Sequence, residues 1–167
     1  MTATRPAAPR LIVMGVSGVG KSTVASALAA ALGVGFLDAD DLHTAEAVQK
    51  MAAGDALTDA DRLPWLTACG VALAAVPGGA VLACSALARR YRALLRDGAP
   101  TARFVELAAD PDVVMARATA REGHFMPPAL VASQFATWEP LGADEPGVSV
   151  DAHRRVDEIV ADVLSRL

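Results

Sequence analysis

The residues with the most chemistry in this chain are Gly15-Val16-Ser17-Gly18-Val19-Gly20-Lys21-Ser22, followed by Thr23. Their spacing, G-x-x-x-x-G-K-S, is that of a phosphate-binding loop. Glycines at the fixed positions let backbone N–H groups converge on an anion. Lys21 supplies a point charge for the β- and γ-phosphates, and the Ser22 hydroxyl is a ligand for Mg²⁺. An apolar run, Leu11-Ile12-Val13-Met14, precedes the loop, and a helix-forming run, Thr23 to Leu28, follows it. The strand aims the loop, and the helix adds the positive end of its dipole to the same phosphates. The stretch from Gly15 to Thr23 therefore reads as a nucleoside triphosphate site.

A second cluster is Phe36-Leu37-Asp38-Ala39-Asp40-Asp41. Carboxylates at the carboxyl end of a parallel strand face the ligand crevice of a doubly wound sheet. Asp38 and Asp40 are two apart and are expected on one side of a strand beside the phosphate-loop strand. Asp38 then serves the Mg²⁺ shell, and Asp40 meets an acceptor hydroxyl and takes its proton. The competing reading is a set of capping or solvated loop carboxylates, and Asp41 is assigned as a cap.

Arginines supply the rest. Asp59-Ala60-Asp61-Arg62-Leu63-Pro64-Trp65-Leu66 places Arg62 just before a helix that starts at Leu63. Its spacing allows either a surface arginine behind an Asp61 cap or a fork donating to an acidic, hydroxylated substrate. Ser85 follows a strand, and Arg89, Arg90, Arg92 and Arg96 follow it; three arginines within four residues cannot share one helix face. Arg117 and Arg121 lead into Glu122-Gly123-His124-Phe125-Met126-Pro127, a polar, proline-broken junction suited to a lid over the triphosphate. His43 and His124 lie beside these clusters without metal-ligand spacing.

The elements that position these groups alternate short apolar and longer helical runs, the pattern of a parallel α/β sheet. Strands are expected at 11–16, 35–39, 79–84, 102–108 and 147–151. Helices are expected at 21–32, 44–53, 63–76, 87–97, 111–122, 128–138 and 153–166. Gly33, Gly54, Gly78-Gly79 and Gly98 fall where helices should stop. Residues 1–10 read as a loose tail ahead of one domain, 11–167. Within it lie a helical insertion at about 42–77 and a lid at about 121–138.

At 167 residues, 53% hydrophobic and 20% charged, the chain is long and apolar enough to bury a core. A net charge of −4 and an aromatic content of 4% argue against a nucleic-acid partner. No apolar run reaches membrane-spanning length. Cys69 and Cys84 read as core thiols, and a cytoplasmic setting is expected.

Taken together, these motifs resemble the bacterial gluconokinases of the thermoresistant, P-loop type. Besides the loop, the resemblance is carried by Asp38-Ala39-Asp40-Asp41-Leu42-His43, Lys50-Met51, and Leu57 to Leu66 with its D-R-x-P-W-L core. It continues through Cys84-Ser85-Ala86-Leu87, Tyr91-Arg92, Arg121 to Met126, and Ser133-Gln134-Phe135. It implies a nucleoside-monophosphate/shikimate kinase type of fold with a five-stranded parallel sheet. It also implies a homodimer and ATP-dependent phosphorylation of D-gluconate on its 6-hydroxyl. The residues so implied for the acceptor are Asp40, His43, Arg62, Ser85, Arg92, His124 and Gln134. Catalysis would rest on Lys21, Asp40 and Arg121, with Arg117 and Arg121 over the nucleotide. Thr44, Ala47, Ala88 and Trp138 depart from the family pattern, at the edge of the acceptor pocket rather than at the phosphate site. A kinase for a shikimate-like hydroxy acid and a non-catalytic ATP-binding regulator are the alternatives.

Overall fold

The computed structural model describes residues 7–120 and 128–167. Five parallel strands, β1 (Arg10–Met14), β2 (Gly35–Asp38), β3 (Ala80–Ala83), β4 (Arg103–Ala108) and β5 (Gly147–Asp151), form one sheet in the order β2-β3-β1-β4-β5. Inner strands buried on both faces read as unbroken apolar runs. On β1, Leu11 and Val13 point into one core and Ile12 and Met14 into the other.

The first core packs α1 (Lys21–Leu32) and α7 (Val156–Ser165) on one face, with Leu28, Val105, Ile159 and Val163 at its centre. The second packs α3 (Asp59–Ala75) and α4 (Arg89–Gly98) on the other, through Leu66, Leu73, Leu82, Leu95 and Phe104. The remaining helices are α2 (Ala45–Ala52), α5 (Pro111–Ala120) and α6 (Pro128–Thr137). Ala47 and Met51 of α2 meet Leu57 and Leu130 of α6 in a small third cluster.

Four expectations are corrected. The strand ending in Asp38 is not beside the phosphate-loop strand: β3 lies between them, paired in register with both. All carboxyl ends nevertheless fall on one edge, so the acidic cluster still reaches the loop. Residues 9 and 10 are not loose, because Ala80 N–H donates to Pro9 O and Arg10 opens β1. The Arg10 guanidinium also donates to the carbonyls of Leu73, Ala74 and Val76, satisfying the end of α3.

Helix α3 starts at Asp59, one turn earlier than expected, with Pro64 in its second turn. Thr58 and Asp61 form a reciprocal capping box there, and Lys50 Nζ donates to Asp61 at 2.7 Å. The capping box fixes the start of the helix ahead of Pro64, which donates no backbone bond to the preceding turn. Finally, Asp41 caps no helix: Asp38 accepts from Asp40 N–H, and Thr44 caps α2.

Candidate active site

Gly15 and the two residues that follow leave β1 at its carboxyl end, where Gly15 N–H donates to Ser85 O at 3.2 Å. A side chain at Gly15 would meet Val19 and the Leu107 carbonyl at 3.0 and 3.1 Å, so glycine lets the loop lie close on β4. Gly18 and Gly20 have φ of 83° and 102°, and the loop then feeds directly into α1. Val16 and Val19 turn into the core and anchor the loop from behind.

Above the loop opens a cleft of about 180 Å³. Ser17, Gly18, Gly20, Lys21, Ser22 and Thr23 of the loop and α1 line it together with Asp38, Asp40, His43, Arg62 and Ser85. Gln134 enters from α6, its Oε1 accepting from the Ser17 N–H at 2.6 Å. Most of the expected site residues are thus brought together by the parallel strand ends and the two flanking helices.

The electrostatics of the cleft follow from its walls. Lys21 Nζ donates to Val16 O at 3.0 Å, which draws the side chain back over its own loop. Burial lowers its pKa, and Asp40, Cys84 and Asp38 oppose that effect. Asp38 accepts from the Ser22 hydroxyl at 2.8 Å and from Asp40 N–H at 3.0 Å. Desolvation in the cleft raises the pKa of Asp40, while Lys21 pulls it down. His43 stacks on Trp65 with ring centroids 4.1 Å apart, and Trp65 Nε1 donates to Ala39 O at 2.8 Å. Burial lowers the pKa of His43, so the ring is a neutral neighbour of Asp40, with Nε2 at 3.7 Å from Oδ1.

The donor set suits a hard cation. The Ser22 hydroxyl and Asp38 carboxylate offer only oxygen, as Mg²⁺ prefers, and Mg²⁺ takes its other ligands from water and phosphates. Among the described residues no group of three or more His, Cys, Asp or Glu could hold a metal ion alone.

Arg92 is corrected. It is 1% exposed and absent from the cleft lining. Its Nε and Nη2 form a fork on Glu145 at 2.7 and 2.9 Å, and Nη1 donates to the carbonyls of Ala86 and Glu139. Its donors serve the fold, leaving none for an acceptor. Arg117 sits exposed in the last turn of α5, outside the lining. Arg121 and His124 lie outside the described residues. Sequence reasoning missed Met51, Leu57, Trp65 and Leu130 as cleft walls. Their apolar spacing signals burial and nothing more.

A phosphate loop at the mouth of the central strand, facing carboxylates and an arginine across one cleft, defines the class: a P-loop phosphotransferase. Residues 11–141 match the family model described as an AAA domain. A gluconokinase of Gluconobacter oxydans is 45% identical, over 92% of this chain and 88% of that protein. The crystal structure of a gluconokinase from Sinorhizobium meliloti superposes with a TM-score of 0.86 at 42% identity, covering 96% and 92% of the two chains. A shikimate kinase from Aquifex aeolicus, at 18% identity and a TM-score of 0.61 over 93% and 94% of the chains, shares the fold alone. The chain belongs to the gluconokinase family of kinases.

Proposed function

We propose that the protein transfers the γ-phosphoryl group of ATP to the 6-hydroxyl of D-gluconate, giving 6-phospho-D-gluconate. The observation that carries this reading is the pairing of Lys21 and Asp40 in one cleft with Arg62, whose guanidinium has a single protein acceptor, Tyr91 Oη, among the described residues. The rest of that fork is available for a carboxylate.

In this scheme the loop amides and Lys21 hold the triphosphate, and α1 directs its N-terminus at it. Ser22 and Asp38 hold Mg²⁺, which neutralises charge on the phosphates when bound. Asp40 orients the acceptor hydroxyl and accepts its proton, a task favoured by its raised pKa. Arg62 receives the carboxylate, and His43, Ser85 and Gln134, which line the same cleft, are assigned to the hydroxyls. Arg121 and His124 close over the reactants, with Arg117 near the nucleotide. The acceptor is held by the insertion at about 42–77 and the lid at about 121–138. We further assign a homodimer, a cytoplasmic setting, and no nucleic-acid or membrane partner. Among the described residues no helix is long and apolar enough to cross a membrane.

The test is ADP release with Mg-ATP against D-gluconate, shikimate and no acceptor, with the product identified. Turnover that depends on gluconate and yields 6-phosphogluconate is the expected result. Turnover with shikimate instead would keep the kinase and replace its acceptor. ATP binding without turnover on any acceptor would favour a regulator.

A further inference from the structure

Arg62 does not hold itself at the edge of the cleft. Its Nη1 donates to Tyr91 Oη at 3.1 Å, and its guanidinium carbon sits 5.6 Å from the tyrosine ring centroid. Tyr91 is 2% exposed, on the first turn of α4, so its ring cannot swing away. The hydroxyl is saturated: it donates to Asp59 Oδ1 at 2.5 Å and accepts from Arg62 and from Arg90 Nη2, the latter at 3.0 Å. Arg90 also reaches Asp59 at 3.2 Å and lies over the same ring, 4.6 Å from its centroid.

We infer that Tyr91 is a positioning residue for acceptor recognition, its hydroxyl holding the Arg62 guanidinium in the orientation that meets the acceptor's carboxylate. The inference rests on the gluconate reading above. Two arginines over one ring repel each other, and Asp59 is the carboxylate that balances them. Hydrogen bonds from Tyr91 and then Arg90 keep the Asp59 pKa low, so that balance persists at neutral pH. Donation to a carboxylate also polarises a hydroxyl and makes its oxygen the stronger acceptor for Arg62. A mere tie between α3 and α4 needs only Asp59 and Arg90, both at the surface. The added link from the buried hydroxyl to Arg62 does something else: it removes rotamer freedom before the acceptor arrives.

The variant Tyr91→Phe keeps the ring and deletes only the hydroxyl. It is expected to raise the KM for gluconate about five- to tenfold, within the net worth of one typical hydrogen bond. Both kcat and the KM for MgATP should stay within about twofold, since the link serves acceptor binding alone. In an Arg62→Ala background the same change should have no further effect on gluconate KM. Exposed Asp59→Ala, which tests the same chain if Tyr91→Phe folds poorly, should shift gluconate KM in the same direction and likewise lose its effect without Arg62. Additive effects in the two backgrounds, or an equal loss for ATP and gluconate, would overturn the inference while leaving gluconokinase activity intact. Absence of gluconate turnover in the unaltered protein would overturn both this inference and the proposed function.

Discussion

At the scale of single residues, the proposed chemistry rests on Lys21 and Asp40, and the charge of each bears on the other. A half-buried ammonium loses hydration, and a carboxylate in the same cleft restores part of its charged state. Replacing Lys21 by Ala removes the charge that the proposed phosphoryl transfer uses but no core contact. We expect kcat to fall by about a hundredfold or more with the melting temperature nearly unchanged. Steady-state kinetics beside a thermal melt check this, and near-normal turnover would exclude Lys21 from the reaction. The types of these residues and the loop spacing were legible in the sequence. The partnership of Arg62 with Tyr91 was not, because it joins residues 29 positions apart through a helix contact.

Contact between α3 and α4 supports the proposed acceptor wall, and it depends on glycine at the crossing. A side chain at Gly70 would lie 2.7 Å from Leu95 O, and one at Gly98 would lie 2.9 Å from the Gly70 backbone. Gly98 therefore belongs to the last turn of α4 as a packing residue, although the sequence suggested only a stop. Gly70→Ala must push two backbones apart, and it should destabilise the protein by about 1–3 kcal/mol. Because α3 carries Arg62 and α4 carries Tyr91, the gluconate KM should rise as well. Urea denaturation and kinetics together test this; unchanged stability would mean the helices separate freely.

The start of α3 is held by the Asp61 carboxylate, whose pKa is lowered to about 2, first by Lys50 and then by Thr58. Since the folded pKa lies below the unfolded value, its contribution is complete above about pH 4 and fades as pH falls through about 2. The Asp61 carboxyl carbon should titrate in NMR near pH 2, and a midpoint near 3.8 would mean that the capping box is open in solution.

Across the whole molecule, Arg92 fastens α4 to the chain segment 139–146 that crosses towards β5. Glu145→Ala strands a buried guanidinium and should cost about 3–5 kcal/mol in stability, with kcat and KM per folded molecule unchanged. Chemical denaturation and active-site-normalised rates measure the two; altered acceptor KM would return Arg92 to a part in recognition.

The phosphate loop, the acidic strand end and the five-strand alternation were fixed by local rules. Glycine spacing, apolar runs and caps act over a few residues, and such rules can be read along a chain. Strand order, the burial of Arg92 and the Tyr91 clamp on Arg62 were decided only in the tertiary structure. An arginine has the same letters whether its donors meet water, a core carbonyl or an acceptor. Only the packing of α4 against α3 and against the segment at 139–146 decides which of those partners Arg62 and Arg92 find.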